Sequence, residues 1–447
     1  MHKEIITRMP PSPTGMIHVG NIRTLLFNYL FARKHGGKVV FRSEDTDRVR
    51  SKREYEEANI NDFAWLGLTF DEFYRQSERT AVYQSYLKKL IDNNTAYISP
   101  EDSKISPGKI VEVIRLRNPN KTIVFNDVVR GDITFDTTEL GDIVIARSID
   151  EAVYHFTVVV DDFEMDISHV IRGEDHISNT PRQILIQEAI GAHRPIYAHV
   201  PLILAPDRSK LSKRHGAVSI SEYREEGFVA SAIVNYLALL GWNPGTEQEI
   251  FTLEELIEAF SLDAIQKGSA VFDKTKFQWI NKEHLAKLDD KTYFEMVQSA
   301  LPQDIKKLPQ YGDDRLYKLL PVIKERVHTM RELTELAKEG EYDFAFQTPT
   351  IDPKLIKWKK DNDVTAVIHR LSKAIELLEN ADFTTPESIK NAIWPYAEEV
   401  GKGELLWPMR TALTGRERSP DPFTCAYILG SEETISRIKK ACVTIDK

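Results

Sequence analysis

Within its first 41 residues the chain spells strand, rigid turn, helix and strand, and this unit restricts the fold more than anything after it. Ile5–Met9 is short and β-prone. Ile22, Leu25, Leu26, Tyr29 and Leu30 then recur at helical spacing, Gly36 and Gly37 close the helix, and Val39–Phe41 forms the next strand. Two strands joined through a helix run parallel by default, so an α/β fold with a parallel sheet is expected. Ligands of such sheets sit beyond the carboxyl ends of the strands. The connection at that place is PPSPTGMIHVGN, residues 10–21, with three prolines, two glycines and His18. A glycine-bearing turn there lets backbone N–H groups approach a phosphate beside the positive end of the helix. Neither GxxxxGK[ST] nor GxGxxG occurs, so the phosphate-binding loops those patterns mark are excluded.

Residues 112–150 change character, with short β-rich runs such as Thr122–Phe125 and Asp132–Phe135 between Asn, Asp and Gly, and read as an insertion. The α/β pattern returns with Tyr154–Val160, Val170 and Ile171, a helix from about Thr180, and the apolar segment His199–Leu204. From about residue 220 helices dominate. Leu316, Leu319, Leu320, Ile323 and Val327 mark one, and Val364, Val367, Ile368, Leu371, Ile375 and Leu378 another. Proline-rich stretches near 302–308 and 348–353 predict linkers or sharp helix junctions. At 447 residues the chain has room for two or more domains.

No apolar run is long enough to span a membrane. Lys3 and Glu4 lead straight into the first strand without a signal-peptide pattern. Cys425 and Cys442 are too few for a disulfide framework or a thiolate metal site. A cytoplasmic protein is expected. The net charge of −9 weighs only mildly against a nucleic-acid partner, because binding depends on where Lys and Arg cluster.

One such cluster is DRSKLSKRHG, residues 207–216, in which Arg208, Lys210, Lys213 and Arg214 face a single Asp207. A cationic loop of this kind can neutralise charge developing on a transferred phosphate. Alone, it reads as a solvated charge run, and the proline-glycine turn as a helix-capping connection. Together, Pro10–Gly15 with His18–Asn21, followed by Lys210–Arg214, resemble the HIGH and KMSKS signatures of class I aminoacyl-tRNA synthetases. Phe41–Asp47, Tyr154–Asp162, Val170–His176, Asn235–Leu237 and Met409–Gly415 narrow the likeness to bacterial-type glutamyl-tRNA synthetases over nearly the whole chain.

The resemblance implies a Rossmann-type parallel-sheet catalytic domain with an inserted α+β acceptor-stem domain, then an all-α anticodon-binding region. The implied division is 1–95 and 185–220 for the two catalytic halves, 96–184 for the inserted segment, 221–309 for a stem-contact helical domain, and 310–447 for the anticodon domain. It implies ATP-dependent attachment of L-glutamate to the 3′ end of tRNA(Glu) through a glutamyl-adenylate, magnesium accompanying ATP, by a cytoplasmic monomer. His18, Lys210 and Lys213 take catalytic positions by this likeness. Pro11, Gly20, Asn21, His176, Leu211 and Ser212 join His18 and Lys213 around ATP, while Arg8, Ser12, Glu44, Tyr154 and Arg172 surround glutamate.

Three positions depart from the pattern. Asn21 stands for the second histidine of the general motif, Val158 stands where some relatives carry Asn, and Tyr97–Val111 replaces a longer segment that in many members bears Cys and His zinc ligands. No structural zinc is therefore expected. Of the neighbouring readings, a glutamyl-queuosine synthetase would lack the C-terminal region, and a glutaminyl enzyme would end in β-barrels. A small-molecule nucleotidyltransferase would need no helical tail, and a retired tRNA-binding paralogue need not keep His18, Lys210 and Lys213.

Overall fold

The computed structural model describes residues 4–102, 108, 110–209, 211, 219–358 and 363–446. The opening unit forms β1 (Ile6–Met9), α1 (Val19–Lys34) and β2 (Lys38–Ser43), and continues as α2 (Arg53–Trp65), β3 (Glu72–Arg75) and α3 (Thr80–Asp92). β1, β2 and β3 are neighbouring parallel strands. The sharp return from α1 to β2 depends on Gly37, where a Cβ would lie 2.2 Å from the carbonyl oxygen of Ile5.

The inserted region contributes β4 (Ala96–Asp102), β5 (Ile110–Leu116), β6 (Thr122–Asp127), β7 (Gly131–Asp136), β8 (Ile143–Ser148) and β9 (Glu151–Ala152). β4, β5, β8 and β9 make a separate antiparallel sheet. After these come α4 (Tyr154–Glu164), β10 (His169–Gly173), α5 (Thr180–Ile190), β11 (Ile196–Val200) and β12 (Ile203–Leu204). β10 flanks β1 on its free side: Ser168 N donates to Ile6 O at 3.0 Å and Ile6 N to Ser168 Oγ at 2.8 Å. β11 pairs parallel with β10, and β6 then pairs parallel with β11 at Tyr197 and Asp127. The β6–β7 hairpin, read from sequence as part of an insertion, thus extends the edge of the parallel sheet.

The strands alternate between two cores. Val39 and Phe41 of β2, Ile171 of β10 and Ala198 of β11 join one apolar cluster with Leu26, Phe27 and Phe277. Val40, Val170 and Tyr197 join another with Leu87, Phe156 and Ile184. A sheet covered on both faces explains why these strands read as continuous apolar runs. The charged residues inside them then stand out: Arg8, Arg42 and Arg172, on three adjacent strands, are all buried.

Contacts divide the chain into two compact units, Met1–His284 and Leu285–Lys447. The first ends with α6 (Ile220–Glu225), α7 (Ala230–Leu239), α8 (Leu253–Ala259), β13 (Ala270–Val271) and most of α9 (Lys274–Ala286). Among its described residues the second is helical, and the helix Asp290–Ala300, expected before the boundary at 309/310, packs within it on the helices Asp313–Arg326 and Met330–Lys338. The periodic apolar residues of 313–326 and 364–379 face its interior as expected. Pro302 and Pro353 lie at helix N-termini within this unit, so they are helix junctions. Arg437, 1% exposed, ties three segments together. Its guanidinium donates to Phe344 O and Leu413 O at 2.7 Å, to Gln347 O at 3.0 Å, and to Glu433 Oε1 at 2.7 Å.

Candidate active site

The proline-glycine connection is held in place by backbone hydrogen bonds at several points. Glu44 N donates to Pro11 O at 3.0 Å, Lys52 N to Pro13 O at 2.9 Å, and Ile17 N to Asn59 Oδ1 at 3.3 Å. His18 caps α1, its Nδ1 accepting from Gly20 N at 3.2 Å. That bond makes Nδ1 the acceptor of the helix N-terminal N–H and fixes the ring at the start of α1. A Cβ at Gly20 would lie 3.2 Å from the ring, so the glycine lets the imidazole fold back onto the helix. His18 also forms an antiparallel bridge with Ser219, where a capping box starts α6. Leu211 N donates to Ile203 O at 3.3 Å. Leu211 and Ser219, on either side of residues 212–218, are thus each anchored by a backbone pairing. Lys210, Ser212, Lys213 and Arg214 lie outside the described residues.

A cleft of about 480 Å³ opens there. Its walls include Arg8, Pro11, Ser12, His18, Gly20, Asn21, Glu44, Tyr154, Arg172, His176 and Leu211, so every described residue that the family likeness placed around ATP or glutamate lines one cavity. A larger cleft of about 980 Å³ shares Ser12, Thr14, Glu44 and Tyr154 with it and continues along Thr46, Asp47, Arg48, Gln76 and Arg147.

Arg8 and Glu44 join the first cleft to a buried ion network. Arg42 Nη1 meets Asp162 Oδ1 at 2.7 Å and its Nη2 meets Glu44 Oε1 at 3.0 Å. Asp161, fully buried, accepts from Arg79 at 2.7 Å, Tyr83 at 2.8 Å and Gln76 at 2.9 Å. Arg8 lies 3.5 Å from Asp162 through Nε, and its Nη1 reaches Ile171 O at 3.3 Å. Burial opposes the Arg42 charge, but Asp162, Glu44 and Asp161 outweigh it and hold its pKa above the usual arginine value. Burial pushes the Glu44 carboxyl above its ordinary range, against the pull of Arg42 and Arg8.

Arg172 is differently placed. Its three nitrogens donate to His199 Nε2 at 3.0 Å, Gln183 Oε1 at 2.7 Å and Thr180 Oγ1 at 2.7 Å. Burial lowers its pKa. Burial, with Arg172 nearby, pushes His176 down to about 4, so it is neutral at pH 7, and burial pushes Tyr154 up to about 12. The cleft thus offers fixed cations and one buried carboxylate for a zwitterion, with neutral donors around them.

This arrangement matches known proteins. The family model described as tRNA synthetases class I (E and Q), catalytic domain, matches residues 4–105 and 99–279, and that of an anticodon binding domain matches 291–442. Similar curated proteins include the glutamate–tRNA ligases of Thermodesulfovibrio yellowstonii, 39% identical over 97% of this chain and 98% of the relative, and of a Sulfurihydrogenibium species, 38% identical over the same shares. The chain belongs to the class I glutamyl-tRNA synthetase family. Its fold agrees with the crystal structure of a glutamate tRNA ligase from Elizabethkingia meningosepticum in complex with its amino acid, at TM-score 0.85 and 30% identity, covering 99% of this chain and all of the other. A glutamate-tRNA synthetase from Elizabethkingia anophelis gives TM-score 0.84 at 29% identity, with full coverage of both. Class I membership brings ATP use with it.

Among the described residues, no group of three or more His, Cys, Asp or Glu is placed to hold a metal ion, and no helix is long and apolar enough to cross a membrane. Sequence reasoning passed over Arg42, Asp161 and Asp162, although all three lie inside stretches that carried the family likeness. Their signal was present: charges within strands or helices otherwise apolar, which fold only if paired. Arg23 was also missed. It lines the cleft, donates to Pro201 O and Leu240 O, and burial pushes its pKa down to about 10.

Proposed function

We propose that this protein attaches L-glutamate to the 3′ end of tRNA(Glu), with ATP consumed and AMP and pyrophosphate released. The observation that carries the reading is the convergence of Arg8, Glu44, Tyr154 and Arg172 with the His18 turn in one cleft. A carboxylate is already a nucleophile, so the first step needs orientation and charge stabilisation but no base. The α-carboxylate of glutamate attacks the α-phosphorus of ATP in line, the bond to the β,γ-diphosphate breaks, and glutamyl-adenylate forms. The 3′-terminal ribose hydroxyl of tRNA then attacks the acyl carbon, and AMP leaves with the bonding electron pair.

In this reading Glu44 meets the ammonium group, and Arg8 and Arg172 meet the two carboxylates, with Ser12 and Tyr154 completing the pocket. Arg8 takes the side-chain carboxylate. The support is that Arg8 gives one long hydrogen bond to the protein, whereas Arg172 is spent on three short ones. His18 faces the phosphates with Pro11, Gly20, Asn21, His176, Leu211 and Ser212 around the nucleotide, and Lys213, with Lys210 assisting, follows the charge that grows on the leaving diphosphate. Magnesium enters with ATP as part of the substrate. The adjoining cleft suits the end of the tRNA. Within residues 96–184 the antiparallel sheet carries the acceptor-contacting insertion, while α4 and β10 work with the catalytic halves 1–95 and 185–220; residues 221–309 meet the stem, and the helices of 310–447 read the anticodon. The working form is a cytoplasmic monomer whose thiols are free.

The test is aminoacylation of purified tRNA(Glu) and tRNA(Gln) with labelled glutamate and glutamine. Glutamate should be esterified to tRNA(Glu) with one AMP formed per ester. Esterification of glutamine alone, or glutamate attached to a base within the tRNA, would overturn the reading.

A further inference from the structure

β11 is otherwise apolar or aromatic, yet its fourth residue is a histidine with no solvent exposure. His199 Nδ1 lies 2.6 Å from Asp127 Oδ2, and its Nε2 takes the Nε–H of Arg172 at 3.0 Å. A guanidinium only donates, so Nε2 carries the lone pair and Nδ1 the proton. Asp127, at the end of β6, is itself anchored. It accepts from Val129 N and Arg130 N at 3.0 and 2.9 Å and from His199 N at 3.0 Å. Burial opposes its charge, but His199 and these backbone donors outweigh it and hold the carboxyl below its ordinary range. The imidazole stacks on Tyr197, centroids 6.0 Å apart and planes 15° from parallel. A strand needing only an apolar plug has no use for an acid–imidazole–guanidinium chain, and this chain ends on a side chain that lines the cleft.

We infer that His199 is the positioning residue of the glutamate pocket: fixed by Asp127 as the Nδ1–H tautomer, it offers its lone pair to Arg172 and sets the angle at which that guanidinium faces the substrate. This rests on the proposed contact between Arg172 and a glutamate carboxylate. The arrangement is sensitive to protonation, because an N–H on Nε2 would confront the Arg172 N–H. The groups facing the ring are Asp127 of β6, Arg172 of β10, Thr180 of α5 and Tyr197 of its own strand, with Arg8 of β1 and His176 acting through space. Burial pushes the pKa of His199 below its ordinary value, with Asp127 pulling the other way and Arg172 adding to the push.

The experiment compares wild type, His199→Phe, His199→Gln and Arg172→Ala in ATP–pyrophosphate exchange with tRNA present, reading KM for glutamate and for ATP separately. His199→Phe keeps the ring stack but removes the acceptor, and should raise the glutamate KM roughly 10- to 100-fold, as expected for an unpaired buried charged donor, with the ATP KM nearly unchanged. His199→Gln returns an acceptor at similar reach and should restore the glutamate KM to within about threefold of wild type. It should also shrink the rise in glutamate KM expected of wild type as pH falls, leaving the part that protonation of Glu44 contributes. If Arg172→Ala leaves the glutamate KM unchanged, the Arg172 contact fails and the inference with it. If Arg172→Ala raises that KM while His199→Phe does not, or if Phe and Gln shift both KM values alike, only the positioning role of His199 is overturned. Should His199→Phe not fold, the pH profile of His199→Gln decides: an acid rise smaller than that of wild type upholds the role and one of unchanged size refutes it.

Discussion

Replacing Arg8 with alanine should strip the enzyme of much of its preference for glutamate over glutamine. The two amino acids are nearly isosteric, so the pocket must separate them by charge. Arg8 is 3% exposed and lightly held by the protein, with one hydrogen bond of 3.3 Å and one ion pair of 3.5 Å. Its ion-pair partner Asp162 has a better one in Arg42, at 2.7 Å. Removing Arg8 therefore leaves no carboxylate stranded, and the loss falls on the ligand. Breaking a fully buried pair costs about 3–5 kcal/mol. The cleft is open on one side, so about 2–3 kcal/mol is the better figure, equivalent to roughly 30- to 150-fold in the ratio of kcat/KM values. The assay is ATP–pyrophosphate exchange with saturating tRNA, run with glutamate and with glutamine on wild type and Arg8→Ala, alongside a thermal melt. A variant with native Tm that keeps the wild-type preference within threefold would refute Arg8 as the discriminator.

Lys213→Ala should lower turnover by roughly 10²-fold or more while the apparent Kd for ATP changes little, since the charge it answers grows mainly in the transition state; turnover within threefold of wild type would remove it from that role. His169 is pushed by burial, and by His35, down to about 4 and is neutral in the fold. Its contribution is complete above the unfolded value of 6.5 and is lost as pH falls from there towards 4, up to about 3 kcal/mol. His169→Leu should accordingly move the acid-unfolding midpoint to lower pH, and an unmoved midpoint would count against it. Arg437→Ala leaves three backbone carbonyls and Glu433 without their shared donor and should cost the second unit about 3–5 kcal/mol in denaturant titration; a loss under about 1 kcal/mol would show the clasp to be dispensable. Elemental analysis of protein purified without chelator should find no stoichiometric zinc, because residues 97–111 contain neither Cys nor His and a structural site of carboxylates alone is uncommon; one zinc per chain would overturn that.

The parallel sheet was legible because its strands are buried on both faces and its first connection places glycines where the chain turns tightly. The cleft residues were legible through the family likeness, which the His18 turn and the KLSKR run carried. Long-range pairing was less so. The runs 122–125 and 132–135 carry the alternation of a hairpin, but nothing in them says that β6 will seat beside β11, a contact made by Asp127 and Tyr197 across 70 residues. Arg42 and His199 were hidden for a related reason: their partners, Asp162 and Asp127, lie 120 and 72 residues away. A single sequence displays a buried charge but not the counter-charge that makes it tolerable.

The placement of three arginines on neighbouring strands also fixes when the pocket can exist. Arg8 and Arg42 come together across a local connection, while β10 reaches β1 only across a sequence separation of 162. Contacts so distant in sequence close late and slowly. A nascent chain that has emerged only as far as β9 carries Arg8 and Arg42 with neither Asp162 nor Arg172 beside them, two cations beside a gap in the sheet. Such a species would be held back by their hydration from collapsing around that gap. The pocket is then among the last parts of the catalytic sheet to assemble, because Arg172 arrives with β10 and its partner His199 only with β11.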